Sequence, residues 1–171
     1  MSASLAQLFA HLRDEAVDYV VIGGMAAIAL GVSYVTQDVD LCYNLEPGNL
    51  ARLARALGHL HPRLRVEGLS DAQAQALPFR LDERTLRQST ILTLQTDVTE
   101  LDLLQVVPGI GDFAEVKRAS VTIALFGGSV LVLDLPGLIA SKRAAGRPKD
   151  LLALPQIEAT LRLRSESSPP A

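Results

Sequence analysis

The sequence predicts an α/β protein of the α+β kind, in which helices flank a mixed β-sheet. Two observations predict this fold class: short apolar segments with strand-like alternation recur along the chain, and amphipathic segments with helical spacing lie between them. A hydrophobic fraction of 49% in 171 residues is sufficient for one core. We therefore expect one domain over residues 1–163 and a disordered tail, rich in Ser and Pro, over residues 164–171.

The first half of the chain alternates helices and strands. Leu5, Leu8 and Leu12 recur at helical spacing, which predicts an amphipathic first helix. Glu46-Pro47-Gly48 is a turn that starts a later helix. The expected elements are a helix over 4–16, a strand over 19–23, a helix over 25–31, a strand over 38–43 and a helix over 48–57. Two strands with a helix between them indicate a βαβ-like beginning, within a sheet that is mixed as a whole.

The second half of the chain begins with the segment that is hardest to interpret, residues 60–84. There we expect a short strand over 63–67 and a helix over 71–77. Alternation then predicts two hairpins, one turning around Asp97 and one at Gly127-Gly128-Ser129. The remaining expected elements are strands over 90–96, 99–107, 121–126 and 130–134, a helix over 135–145 that stops at Gly146, and a last helix from Pro148 to about 162.

The most informative feature is a glycine turn followed by two carboxylates. An apolar strand leads into Gly23-Gly24 and a short helix, and the next strand opens with Asp38-Val39-Asp40. Side chains alternate along a strand, so Asp38 and Asp40 lie on one face. Two carboxylates suit Mg²⁺, which is usually held by one or two of them together with substrate phosphates. Backbone N–H groups of the glycine turn suit those phosphates.

This segment, Gly23-Gly24, a short helix and then Thr36-x-Asp38-x-Asp40, resembles the signature of the nucleotidyltransferase superfamily, which shares the catalytic fold of DNA polymerase beta. It is closer still to the small bacterial members, the minimal nucleotidyltransferases and the AbiEii-type toxin proteins. The resemblance implies a mixed sheet flanked by helices and a metal-dependent transfer of a nucleoside monophosphate from a nucleoside triphosphate, such as ATP, to an acceptor hydroxyl.

Further matches to the family extend the resemblance to roughly residues 19–155. In the family a third acidic residue on a later strand completes the metal site, and Asp102 in the segment Glu100-Leu101-Asp102-Leu103 is the candidate. The nearest relatives in pattern also carry a Lys and a basic-Asp pair near the end of the domain. Lys142 and Lys149-Asp150 match them.

The resemblance thus assigns roles to particular residues. It implies Mg²⁺ or Mn²⁺ as the cofactor, and Asp102 as the group that deprotonates or orients the acceptor hydroxyl. The expected residues are Asp38, Asp40 and Asp102 for the metal, these three and Lys142 for catalysis, and Gly23, Gly24, Thr36, Lys142, Lys149 and Asp150 for the nucleotide.

The chain departs from the family pattern at two positions. Tyr34 stands where related sequences often have an Arg that pairs with phosphate, and Met25 follows Gly24 where many have Ser. These departures favour a second hypothesis, a binding protein without catalysis, such as a nucleotide sensor or one half of a toxin–antitoxin-like complex. The intact set of carboxylates favours the enzyme.

Several of these residues also have ordinary structural explanations. An Asp-x-Asp pair is commonly solvated at a turn, a Gly-Gly pair permits close packing, a helical Lys is commonly in solvent, and an Asp in the first turn of a helix favours the helix dipole. His59 and His61 follow Gly58 and have no third ligand nearby in sequence, so we assign them a structural or solvent role.

Composition limits the partners. Aromatic residues are only 4%, Trp is absent, and the net charge is −3 with a pI of about 5.6, which argues against a broad basic surface that coats nucleic acid. Arg143, Arg147 and Lys149 still cluster in sequence. Cys42 has no partner for a disulfide, which fits a reducing cytoplasm. We expect no signal peptide and no membrane span.

The acceptor stays open on sequence grounds. An RNA 3′ end, a protein hydroxyl and a small molecule such as an aminoglycoside are all compatible with the resemblance. Only one helix follows Asp150, so we expect a second subunit or a partner protein to close the site, most simply in a homodimer.

Overall fold

The structure, a computed structural model, describes residues 3–167. The helices are α1 (Ala3–Asp14), α2 (Gly23–Ala29), α3 (Pro47–Gly58), α4 (Asp71–Gln75), α5 (Glu83–Gln88), α6 (Phe113–Arg118), α7 (Leu135–Ala145) and α8 (Pro148–Ser167). The strands are β1 (Tyr19–Ile22), β2 (Asp38–Tyr43), β3 (Arg63–Leu64), β4 (Ile91–Gln95), β5 (Glu100–Leu104), β6 (Val106–Val107), β7 (Gly111–Asp112), β8 (Ser120–Leu125) and β9 (Gly128–Leu133).

A mixed sheet of seven strands organises the domain, in the order β3-β4-β5-β2-β1-β9-β8. The expected fold class, a mixed sheet flanked by helices, is confirmed. The βαβ-like beginning is wrong, because β1 and β2 pair antiparallel across the short helix α2. Parallel pairing occurs instead between β2 and β5 and between β1 and β9. The connection over residues 23–37 is long enough for a parallel crossover, but only seven of its residues form a helix, and β2 returns directly beside β1 in the opposite direction.

Two short helices were not anticipated from the sequence. Asp82 caps α5 by accepting a hydrogen bond from the backbone N–H of Thr85, and Asp112 and Glu115 form a capping box at the start of α6. The last helix also continues to Ser167, so that residues 164–167 are helical rather than part of a tail. The expected disorder of residues 168–171 lies outside the described residues.

The strands at the centre of the sheet bury one face and leave the other accessible. Val39, Leu41, Leu101 and Leu103 are at most 1% exposed and alternate with the acidic residues of β2 and β5. α3 packs against both α1 and α5, while α7 packs against α2 and α8. Within residues 3–167 no helix is long and apolar enough to cross a bilayer.

Two glycines bring the turn before α2 against β2. Gly23 has a φ of +63°, and a Cβ at this position would lie 2.0 Å from Oδ2 of Asp40. A Cβ at Gly24 would lie 2.7 Å from Cβ of Thr36. Glycine is therefore required here for backbone conformation at one position and for space at both. The close approach places backbone of the turn directly beside the Asp40 carboxylate.

We predict that Gly23→Ala lowers the free energy of unfolding by about 2 kcal/mol or more, because it combines a left-handed backbone with a collision against Asp40. Gly31 is a matched control: its φ is +81°, but a Cβ added there would meet nothing within 4 Å. Gly31→Ala should therefore cost only about 1 kcal/mol. Urea denaturation of both variants measures the difference, and equal losses would contradict the close approach.

Candidate active site

Three carboxylates converge on the accessible face of the sheet. β2 and β5 pair in parallel with Asp40 directly opposite Asp102, and Asp38 lies two residues before Asp40 on the same face. One oxygen from each of the three residues lies within 4.8 Å of the others. The three side chains are each half-buried. The carboxylates thus converge as expected from sequence, although their role as metal ligands stays a prediction.

Asp40 is the most perturbed member of the triad formed by Asp38, Asp40 and Asp102. Burial, followed by repulsion from Asp38 and from Asp102, raises its pKa to about 7, with smaller opposing effects from Lys149 and Lys142. Burial is also the largest influence on Asp102, and it raises the pKa of that carboxyl despite the opposing charge of Arg65. Such a cluster is costly without a cation to neutralise it.

Thr36 and Gly24 support the triad from the segment that precedes β2. Thr36 donates a hydrogen bond of 2.5 Å from its hydroxyl to Oδ1 of Asp38. The Cβ atom of Thr36 lies beside Gly24, in space that a side chain at position 24 would occupy. Thr36 and Gly24 therefore fix the position of the loop that leads into β2, which orients the Asp38 carboxylate.

Arg65 also contacts the triad, and sequence analysis did not identify it. Its Nη2 donates to Oδ1 of Asp102 over 2.6 Å, and its Nη1 donates to Oε2 of Glu100. Arg65 follows directly after the two-residue strand β3, which pairs with β4 at the edge of the sheet. No local pattern in the sequence indicates that pairing, so the arginine could not be placed beside β5.

Lys142 is buried rather than solvated, contrary to the simpler expectation from its position in a helix. Only 7% of it is exposed, and its Nζ lies 3.1 Å from Oδ1 of Asp150. Arg147 binds the other oxygen of Asp150 over 2.5 Å, which holds the pKa of that carboxyl below its usual value despite burial. Lys142 also lies over the ring of Tyr34, 5.2 Å from its centroid. Tyr34 thus packs against the ammonium group of Lys142, whereas the Arg that related sequences often have at this position would add a positive charge.

Lys149 differs from Lys142 and Arg147. It is exposed, and within residues 3–167 no ion-pair partner of Lys149 lies within 4 Å. It lies close enough to Asp40 to lower the pKa of that carboxyl. Lys149 is therefore the basic residue of this region with the least competition for its charge.

A cavity of about 320 Å³ joins these groups. The triad, the glycine turn and the cluster of Lys142, Asp150 and Arg147 form its polar walls. The aliphatic part of the lining includes Ile91, Leu104, Val107, Pro108 and Leu138. The cavity therefore has a part that suits phosphate and metal chemistry and a part that suits an uncharged group.

The donor set of the triad fits a hard divalent cation. Three carboxylate oxygens in mutual reach are ligands that Mg²⁺ and Mn²⁺ accept, and further positions would be completed by water or phosphate. Repulsion from Asp38 and Asp102, which adds to burial in raising the pKa of Asp40, is the interaction that a cation would relieve. His59 and His61 are outside the lining of this cavity, and His61 pairs with Asp97 at 2.6 Å.

The perturbed carboxylate predicts a pH dependence in metal-free buffer. An unfolded Asp has a pKa of about 3.9, and folding raises that of Asp40 to about 7, so stability from this group is present below pH 4 and is lost as pH rises through 7. Asp40→Asn should remove this loss and raise the melting temperature at pH 8 by about 5 °C. Mg²⁺ binding should disappear in the same variant.

Asp97→Asn provides the control, because Asp97 is exposed and lies outside the cavity. Its melting temperature should keep the wild-type decline between pH 4 and 7. Calorimetric scans in chelator measure all three proteins. A marked destabilisation of Asp40→Asn at pH 8 would instead identify Asp40 as a structural residue.

Comparison with known proteins adds evidence on the fold. No protein-family model matches the sequence, and no curated protein matches it. Among solved structures, ANT(2")-Ia in complex with adenylyl-2"-tobramycin aligns over 95% of this chain and 93% of its own, with 15% identity and a TM-score of 0.55. TM1012 from Thermotoga maritima, a candidate nucleotidyltransferase, aligns over 94% and 88% with 15% identity and a TM-score of 0.49. The chain therefore shares the fold of ANT(2")-Ia, whereas closeness to AbiEii-type toxin proteins is not shown.

Proposed function

We propose that the protein is a metal-dependent nucleotidyltransferase, which transfers a nucleoside monophosphate from a nucleoside triphosphate to an acceptor hydroxyl. The observation that carries this proposal is the convergence of Asp38, Asp40 and Asp102 beside cationic side chains in one cavity. The shared fold with ANT(2")-Ia supports it. The combination of carboxylates and cations separates this site from a simple acidic patch.

Asp38, Asp40 and Asp102 would hold Mg²⁺ or Mn²⁺, which supplies electrostatic stabilisation of the phosphate charge during transfer. Asp102 has the position suited to the acceptor, since it lies nearer than the other two carboxylates to β4 and the open edge of the sheet. It would accept the hydroxyl proton, or orient the hydroxyl, while pyrophosphate leaves. Asp40, which is more buried, would stay a ligand.

The nucleotide would lie along the glycine turn and the start of α8. Backbone N–H groups around Gly23 and Gly24 suit phosphate oxygens, and Thr36 keeps the turn in place. Lys149 would neutralise the triphosphate directly, and Lys142 would do so from its buried position. Asp150 would act indirectly: its carboxylate accepts hydrogen bonds from both Lys142 and Arg147 and so fixes their positions.

The aliphatic part of the lining restricts the acceptor. Ile91 is 59% exposed, and it lines the cavity together with Leu104, Val107 and Pro108. The charged side chain that binds Asp102 is the cation Arg65, which is not part of the cavity lining. A polycationic acceptor such as an aminoglycoside would meet few free carboxylates here, so this surface favours an RNA end or a protein hydroxyl.

The same open side supports association. The exposed position of Ile91 leaves the acceptor part of the cavity accessible to water, which competes with the acceptor for the phosphate. A second copy of the chain or a partner protein would close it. Light scattering at micromolar concentration should then show more than the 18.3 kDa of one chain, whereas a monomer that transfers nucleotide unaided would contradict this part of the proposal.

A nucleotide-binding protein without catalysis is the second candidate. One observation favours it: Lys142 and Arg147 are both committed to Asp150, and Tyr34 adds no cation, so that fewer charges face a triphosphate than the family pattern provides. Binding of nucleotide with no transfer to any acceptor is the result that this candidate predicts.

Label transfer distinguishes the two functions. The protein is incubated with Mg²⁺, each of the four α-labelled triphosphates, and total RNA or cell lysate as acceptor. The enzyme predicts labelled RNA or protein that disappears with Asp102→Asn. Tight triphosphate binding without transfer would support the binding protein, and neither binding nor transfer would contradict both.

The two lysines should respond differently to substitution. Lys149→Ala should weaken triphosphate binding about tenfold, leave nucleoside binding unchanged and hardly alter stability, because an exposed phosphate contact is lost. Lys142→Ala should weaken triphosphate binding too, but it also leaves a buried Asp150 with Arg147 alone and should cost about 3 kcal/mol of stability.

Isothermal titration with triphosphate and nucleoside, together with urea denaturation, measures these effects. Asp150→Asn is the control for Lys142, since it removes the partner and keeps the ammonium. If Lys142→Ala weakens triphosphate and nucleoside binding equally, its effect is on the fold and not on phosphate.

A further inference from the structure

We propose that Arg65 is a positioning residue that holds one oxygen of Asp102 and thereby sets the affinity and the selectivity of the metal site. The inference rests on the metal site of the proposed function. It concerns a residue outside the triad, on an edge segment of the sheet to which neither the sequence pattern nor the fold comparison assigns a role.

The backbone of Arg65 is fixed against β4. Its N–H donates to the carbonyl oxygen of Thr93 over 3.0 Å, and the Thr93 hydroxyl donates to the carbonyl oxygen of Arg65 over 3.0 Å. Thr93 is in turn the register partner of Asp102 on β5. The side chain of Arg65 therefore starts from a fixed point, one strand away from the carboxylate that it binds.

The guanidinium of Arg65 spans two carboxylates. Nη2 donates to Oδ1 of Asp102 over 2.6 Å, and Nη1 donates to Oε2 of Glu100, which lies two residues earlier on the same face of β5. A guanidinium is planar and presents its donors in a fixed fork, so a hydrogen bond to one carboxylate limits the positions from which the other carboxylate can accept. The side chain is only 31% exposed, which limits competition from water.

This contact divides the two oxygens of Asp102. Oδ1 accepts from Arg65, so the proposal gives Oδ2 to the cation that Asp38 and Asp40 would share. Asp102 would then bind through one oxygen, as an octahedral Mg²⁺ or Mn²⁺ site requires, whereas Ca²⁺ readily takes a carboxylate through both oxygens. Arg65 also places a positive charge beside the site, which weakens binding of every cation.

The proposal therefore makes two separable predictions for Arg65→Gln. Loss of the charge should tighten Mn²⁺ binding about fivefold. Release of Oδ1 should tighten Ca²⁺ binding more, by about twentyfold, because only Ca²⁺ gains from a second oxygen. A charge effect alone would change both cations by the same factor, and a merely structural role would weaken both.

Arg63 offers a matched control. It lies two residues before Arg65, is also an edge arginine, and pairs with Asp97 at 3.3 Å instead of with β5. Arg63→Gln should leave both metal affinities within about twofold of wild type, because the charge that it removes is not bound to the triad.

The experiment is isothermal titration of Mn²⁺ and of Ca²⁺ into nucleotide-free wild-type, Arg65→Gln and Arg63→Gln protein. The expected result is a tighter site in Arg65→Gln with a shift of preference towards Ca²⁺. Equal factors for the two cations, unchanged affinities, or equal effects of both arginines would overturn the proposal.

A replacement variant and the behaviour of the wild-type protein cover the two ways in which this experiment could fail to give an answer. If Arg65→Gln fails to fold, Arg65→Lys takes its place: a single ammonium cannot form the fork, so the preference should still shift towards Ca²⁺, and a wild-type ratio would overturn the proposal. If wild-type protein binds neither cation, the proposed metal site itself fails, which is distinguishable from failure of the role of Arg65.

Discussion

The parallel pairing of β2 with β5 is the constraint on which the rest of the site depends. It places Asp40 opposite Asp102 and leaves Asp38 on the same face, so three like charges share a half-buried space. The fold accepts this unfavourable arrangement because the opposite faces of the two strands supply deeply buried leucines and valine. The acidic cluster therefore depends on the core beneath it. A bound cation would relieve the repulsion among its three carboxylates.

The surrounding cations distribute the charge unevenly. Arg65 neutralises part of Asp102, while Lys142 and Arg147 are committed to Asp150. Asp40 has none of these direct partners, and burial together with repulsion from Asp38 and Asp102 raises its pKa to about 7. The cavity thus has a carboxylate that needs a cation, close to an exposed lysine, Lys149, that is available to an anion. A metal–triphosphate complex satisfies both requirements at once.

Sequence alone anticipated what depends on local order. The alternation of β2 placed Asp38 and Asp40 on one face, and the resemblance to nucleotidyltransferases pointed to Asp102. The capping residues of α5 and α6, Asp82 and the pair Asp112 and Glu115, are also local sequence signals. By contrast, Arg65 on Asp102 depends on the edge pairing of β3 and β4, and burial of Lys142 depends on packing of α7 against α8. Neither contact leaves a local pattern, so neither could be predicted.

The proposed activity requires that Asp38, Asp40 and Asp102 bind a metal ion. The most direct test is anomalous diffraction from crystals grown with Mn²⁺ and a non-hydrolysable nucleoside triphosphate. We expect a manganese peak about 2.1 Å to 2.2 Å from one oxygen each of Asp38, Asp40 and Asp102, with phosphate oxygens completing the coordination. Bound triphosphate without manganese between these carboxylates, or manganese bound elsewhere, would contradict it.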